Sequence, residues 1–320
     1  MSLSFYIPNK KLFFSKKILK VQEVLDLIPK LQILPENNSP NFDKQKFLES
    51  QLNEHDSILV GIDGKSGRGF EISYGKDPKG KDSYIVRFLT PSPIDDWKIG
   101  LAFIKVLSQK LGTKITSEYD ETLTPDTIEN YDYRHDIMFG ISGMFAPNED
   151  PDTGELVEPN ILTLTLFGIN RPVVFDRNLK KRLLDTENPV EEFSKFFTDI
   201  QYMEAYSAKQ KFFRRNVDNS LFGAYVITEN VEVILPFKPF VEFSNINVIN
   251  PKEVDSWKLN LMYIDGDDTD PDSYKSLSVV DYNLFMEHLP KDKYEFIDAT
   301  YIVINELSKK DMENILEKMN

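Results

Sequence analysis

Residues 84–97 read Tyr84-Ile85-Val86-Arg87-Phe88-Leu89-Thr90-Pro91-Ser92-Pro93-Ile94-Asp95-Asp96-Trp97, and the change of pattern inside this stretch decides the fold class. Its first six residues are an apolar run of strand length. Its last six place a Ser, then a Pro at the first helical position, then acids in the first turn. The Ser hydroxyl is suited to accept an orphan backbone N–H, and the acids face the positive end of the helix dipole. Trp97, Leu101, Ile104 and Leu111 then line one helical face, and Gly112 is placed to end it. A strand feeding an amphipathic helix means a sheet with a helix laid on it. Upstream, 57–62 and 70–74 are two more strand-like runs, set apart by Gly- and Lys-rich turns as in a meander. Residues 4–7 alternate like a strand. Val21, Val24, Leu25 and Ile28 share one face of a helix over 20–28 that Pro29 ends, and a second helix is expected over 43–52. Pro35, Asn37, Asn38, Ser39 and Pro40 mark a loop between them, and 114–119 is a further strand.

The polar, Pro-containing stretch 120–132 is the expected domain boundary, which gives domains 1–130 and 131–320. Beyond it, 137–145 and 161–167 read as strands, with a hairpin turn at Asp150-Pro151-Asp152-Thr153-Gly154-Glu155. Asn188-Pro189-Val190-Glu191 repeats the cap-Pro-x-acid pattern. It opens a helix expected to run to Phe213, with Phe193, Phe196, Phe197, Ile200 and Met203 on its buried side and Lys209, Lys211, Arg214 and Arg215 near its end. Strands over 221–228, 231–235, 256–264 and 300–304 follow, with a helix near 279–289. A last helix opens with a Ser308/Asp311 capping box and buries Met312, Ile315, Leu316 and Met319. The expected fold is α+β, with two domains that are each a mostly antiparallel sheet with helices packed on one face.

Composition bounds the function. The 320 residues hold no cysteine and only three histidines, His55, His135 and His288, so chemistry resting on thiols, disulfides or histidine-bound metals has little to draw on. No run approaches the ~18 apolar residues of a membrane span, and the first twenty residues lack the apolar core of a signal peptide. A cytoplasmic location follows as the expectation, with no membrane partner. Net charge is −14, which repels nucleic acid unless a basic face is concentrated somewhere. Lys10, Lys11, Lys16, Lys17 and Lys20 are the nearest to one, but no Arg-rich or aromatic-stacking motif accompanies them, so no nucleic-acid partner is expected.

Four motifs carry the candidate chemistry. Gly61-Ile62-Asp63-Gly64-Lys65-Ser66 ends like a phosphate-binding loop, but Leu59 stands where the first Gly belongs and a strand follows, so it reads as a hairpin. Asp265, Asp267, Asp268, Asp270 and Asp272 are the candidate metal ligands, although Asp270 and Ser276 occupy the places where a calcium loop needs Gly and Glu; the expected structure is a solvated acidic loop. Asp132-Tyr133-Arg134-His135-Asp136 is the densest group of reactive types, with His135 and Asp136 as the candidate acid–base pair and the alternative a polar lead-in to a strand. Asn170 and Arg171, at a strand end beside Pro172, are candidate ligand or partner contacts because an Arg there can clamp a carboxylate or phosphate. Tyr202 and Tyr206, four apart on the expected long helix, are candidates for the same role.

Several of these stretches also carry a likeness. Ser4-Phe5-Tyr6-Ile7-Pro8-Asn9-Lys10-Lys11, Pro91-Ser92-Pro93-Ile94-Asp95-Asp96-Trp97, Phe167-Gly168-Ile169-Asn170-Arg171-Pro172, Asp199-Ile200-Gln201-Tyr202 and Leu235-Pro236-Phe237-Lys238-Pro239 resemble an uncharacterised bacterial family of unknown function over the whole chain. The resemblance implies a soluble bacterial cytosolic protein and brings no activity, cofactor or site residue.

The function expected from the residues is a non-enzymatic protein-binding protein, an adaptor or immunity-type protein whose acidic surface meets a basic partner. No cofactor is expected and no catalytic residue is assigned. The alternative is a hydrolase or small-ligand enzyme, divalent-metal dependent, built on Asp132, His135, Asp136 and Arg171. A ligand sensor with its site in an interdomain cleft is a third option.

Overall fold

The computed structural model describes residues 2–9, 17–35, 42–149, 154–157 and 159–319. Lys10, Lys11 and Lys16, most of the 35–41 loop and the first four residues of the 150–155 turn lie outside them. The chain divides into two compact units, Met1–Tyr202 and Met203–Asn320. Residues 130 and 131, where a boundary is expected, are internal to the first unit.

The first unit runs β1 (Ser2–Pro8), α1 (Val21–Leu25), β2 (Gln32–Ile33), α2 (Lys44–Glu49), β3 (Ile58–Gly61), β4 (Phe70–Lys76), β5 (Asp82–Leu89), α3 (Ile94–Leu111), β6 (Ile115–Ser117) and β7 (Thr122–Leu123). It continues with α4 (Tyr133–Gly143), β8 (Asn148–Glu149), β9 (Leu156–Val157), β10 (Leu164–Phe167), β11 (Pro172–Phe175), α5 (Arg177–Leu184) and α6 (Pro189–Gln201). Its main sheet has the order β2-β3-β4-β5-β1-β6-β7, antiparallel throughout. The Gly61–Ser66 stretch is the turn between antiparallel β3 and β4, with the Ser66 hydroxyl accepting from the Ile62 N–H at 3.0 Å, so no helix follows to meet a phosphate. Period-two alternation places Leu3, Phe5 and Ile7 of β1 and Tyr84, Val86 and Phe88 of β5 on one buried face. Helix α3 lies on it. Trp97 stacks on Phe88 at 4.1 Å, and Gly100 sits so close to the Phe88 ring that a Cβ would fall 2.3 Å from its Cζ.

The start of α3 differs from its sequence reading. Pro93 is the N-cap; the Ser92 hydroxyl turns back to donate to the Leu89 carbonyl, and the Ile94 N–H donates to Ser194 Oγ of α6 at 3.1 Å. The cap is therefore tertiary, supplied by a residue a hundred positions away. A second correction concerns 137–145, where residues 137–143 belong to helix α4 and the last two to the turn after it, rather than to a strand. Asp132 accepts from the His135 N–H, Ile137 and Ile141 are buried one turn apart, and Gly140 lets the helix approach the Pro91 backbone. A short apolar run has no period that separates strand from buried helix, and here the cap decides.

Helix α6 ends at Gln201, not near Phe213. Its buried stripe Phe193–Phe197–Ile200 stops there, and the chain enters the second unit as strands. That unit contains β12 (Tyr206–Ser207), β13 (Lys211–Arg214), β14 (Leu221–Thr228), β15 (Val233–Pro236), β16 (Val254–Ile264), β17 (Tyr274–Asp281), α7 (Tyr282–His288), β18 (Tyr294–Phe296), β19 (Tyr301–Ile304) and α8 (Lys309–Met319). Tyr206 pairs with Val233 in a parallel ladder, so Tyr202 and Tyr206 share no helix face. The strands form two four-stranded sheets, β12-β15-β19-β18 and β13-β14-β16-β17. Their inner faces and the buried sides of α7 and α8 make one apolar core that includes Tyr225, Ile227, Leu235, Leu259, Leu261, Phe285, Ile302, Ile304 and Met312. Each large side chain buried there contributes about 1.5–3 kcal/mol. The Ser308/Asp311 capping box of α8 forms reciprocally, with both backbone N–H groups satisfied. Helix α7 starts three residues later than expected because Val279 and Val280 belong to β17 and Asp281 supplies the cap. The fold is α+β with antiparallel pairing dominant. Among the described residues no helix is long and apolar enough to cross a membrane.

Candidate functional site

Two polar centres stand in the first unit, one closed and one open. The closed centre is built on Arg68, which stands between two glycines just before β4. Its backbone N–H donates to Asp96 Oδ2 at 2.8 Å, its Nε to the Phe167 carbonyl at 3.0 Å and its Nη1 to the Pro91 carbonyl at 2.7 Å. Burial pulls the guanidinium down to about 10, against the pull of the Asp96 charge. Burial likewise pushes Asp96 up to about 6, opposed first by the Arg68 backbone N–H, and its Oδ1 has no hydrogen-bond partner.

The turn between β10 and β11 is clipped to the end of α6 beside this centre. Gln201 Oε1 accepts from the N–H groups of Asn170 (3.0 Å) and Arg171 (2.9 Å), Asn170 Nδ2 donates to the Gln201 carbonyl, and Arg171 Nη1 donates to the Ile200 carbonyl at 2.8 Å. A guanidinium on the last carbonyls of a helix also meets the negative end of its dipole. The Tyr202 hydroxyl donates to the Ser66 carbonyl at 2.8 Å, and burial pushes it up to about 12. Asn170, Arg171 and Tyr202 thus hold the fold together at the end of α6, while Tyr206 is exposed on its edge strand in the second unit.

The open centre is a pocket of about 830 Å³ whose lining includes Tyr119, Glu121, Tyr131, Asp132, His135 and Asp136. Asp132 caps α4, which sets His135 and Asp136 in its first turn: His135 faces solvent and Asp136 is 3% exposed. The Tyr119 hydroxyl donates to Asp136 Oδ1 at 3.3 Å, and Oδ2 is buried without a hydrogen-bond partner among the described residues. Burial holds the Asp136 carboxyl above the usual carboxylate range, against the hydroxyls of Tyr131 and Tyr119. Burial and the facing carboxylate raise both phenols in turn. Tyr131 is fixed from behind by edge contact with Phe5 at 5.1 Å and by stacking on Trp97 at 6.0 Å. Arg171 does not line this pocket, so the structure does not bring it to His135 and Asp136. Tyr119, Tyr131 and Arg68 were not singled out from the sequence. A tyrosine in a polar stretch and an arginine in a glycine turn carry no pattern, and only Asp132's capping position relates Tyr131 to the helix.

A further groove of the unit, about 1100 Å³, is lined by lysines balanced by acids, with Lys76 on Asp82 and Lys79 on Asp120, each at 2.6 Å. In the second unit, Asp265, Asp267, Asp268, Asp270 and Asp272 are all exposed. Asp267 accepts from Thr269 and Asp270 from the Asp272 N–H, local turns that fix the loop. No three His, Asp or Glu among the described residues are grouped to hold a metal ion.

Over residues 2–315 the sequence matches the model of a family described as a domain of unknown function, DUF4299. The chain belongs to this family. No curated protein and no solved structure matches it significantly.

Proposed function

We propose that this member of the DUF4299 family is a non-catalytic protein-binding protein, of the adaptor or immunity type, whose acidic exterior meets a basic partner. The carrying observation is the second unit, where 13 Lys and Arg face 21 Asp and Glu. Five of those acids project from one exposed loop held in shape by its own turns. Carboxylates fixed in advance and kept in water raise the association rate and select for a partner of opposite charge.

The test is a tagged full-length chain used as bait in lysate of its host, beside a variant with the five loop aspartates changed to Asn. A stoichiometric basic partner, released by salt and lost in the variant, is the expected result. Recovery of no stoichiometric partner, or of one that the variant retains, removes the reading.

A further inference from the structure

We propose that the Tyr119–Asp136 pocket of the first unit seats one arginine side chain. This rests on the reading of the chain as an acidic protein that meets a basic partner, and it places a specific contact in the first unit. Four observations converge on a planar cation. Asp136 lines the pocket, is 3% exposed and has one buried oxygen with no hydrogen-bond partner among the described residues, so its charge is poorly screened by water and draws a cation into the pocket. Glu121 and Asp132 add two further acids to the same lining, which among the described residues includes no Lys or Arg. Tyr119 also lines the pocket, is 60% exposed and keeps its hydroxyl on Asp136, leaving ring surface on which a guanidinium can stack. The remaining lining includes Asn130, Thr122 and Thr127, acceptors for the other donors of the guanidinium fork. A lysine ammonium would meet the charge but not the flat ring and the spread of acceptors, and it ranks second for that reason. The pocket volume, about 830 Å³, suits a side chain entering together with its flanking backbone.

The probe is N-acetyl-arginine amide titrated into the full-length chain by calorimetry and by the chemical shifts of labelled tyrosines, with N-acetyl-citrulline amide as the neutral isostere. Saturable binding with a dissociation constant on the order of 1 mM is expected for arginine, the size of a single buried contact. Asp136→Asn and Tyr119→Ala should each weaken it about tenfold, with citrulline at least tenfold weaker than arginine. Should Asp136→Asn fail to fold, the exposed Tyr119→Ala and Glu121→Gln changes carry the same test. Equal binding of citrulline, unchanged binding in the variants, or no saturable arginine binding overturns the assignment. The two readings fail separately. Arginine binding without a recoverable protein partner leaves the pocket and removes the partner. A partner held equally by wild type, Asp136→Asn and Tyr119→Ala, with no arginine binding, does the reverse.

Discussion

Asp96 and Asp136 occupy matching places and meet different fates. Each sits in the first turn of a helix, each is buried, each is pushed above the usual carboxylate range by that burial, and each has one oxygen without a partner. Around Asp96 the chain closes: Arg68 beside it is spent on two backbone carbonyls, and the β10–β11 turn is tied to the end of α6. Around Asp136 the chain opens, with the Tyr119 and Tyr131 hydroxyls turned to the carboxyl and both rings lining the same pocket as the further acids. The same residue type in the first turn of a helix therefore builds structure in one place and lines an open pocket in the other. What differs is whether the surrounding groups satisfy one another.

That contrast predicts a graded series of effects. The largest belongs to Arg68→Met, which strips the donors from the Phe167 and Pro91 carbonyls and leaves Asp96 without its nearby cation. A loss of about 3–5 kcal/mol is expected, read as a fall in urea midpoint. Trp97 lies in the first unit and Trp257 in the second, so fluorescence in a Trp257→Phe background follows the first unit alone.

Next comes the pH dependence carried by Asp96. Its carboxyl binds a proton more tightly when folded, so its contribution is complete below the ordinary value of 3.8 and is lost as pH rises through about 6. Over that window stability should fall by about 3 kcal/mol from this group, and Asp96→Asn should flatten the slope. A slope that survives the substitution would assign it to another group.

Gly168→Ala should be milder, about 1–3 kcal/mol. The new Cβ would stand 2.3 Å from Gln201 Oε1, the atom that accepts from Asn170 and Arg171. Limited proteolysis should then cut first in the β10–β11 turn. Smallest is Asp136→Asn, expected within about 1 kcal/mol of wild type because it removes a buried charge while the amide oxygen can still accept from Tyr119. A large destabilisation there would make Asp136 a second Asp96 and erase the contrast.

Legibility in the sequence follows the range of the interactions concerned. Strands β1, β3, β4, β5 and β6 of the main sheet, α3 and α8 are readable because alternation, a helical stripe and a capping box are local and repeat, whereas the two-residue strands β2 and β7 are too short to carry a pattern. Residues 137–145 mislead because Ile137, Met138 and Phe139 are apolar in succession, and the evidence for a helix is one Asp132 hydrogen bond and a Gly140 fitted to Pro91. The expected helix to Phe213 fails because nothing local stops it; the parallel ladder of Tyr206 with Val233 does. For the site, Asp132, His135 and Asp136 are visible as reactive types. Tyr119 and Tyr131, which make a pocket of them, are not.

The sequence by itself determined the α+β class, the antiparallel meander, the lack of cysteine thiols and the acidity of the chain, since each depends on composition or on neighbours along the chain. Tertiary structure alone decided that Arg171 and Tyr202 brace the end of α6, that Ser194 caps α3 and that Asp136 opens onto a pocket. Those outcomes are set by groups tens of residues apart, whose desolvation and pairing exist only once the chain has closed around them.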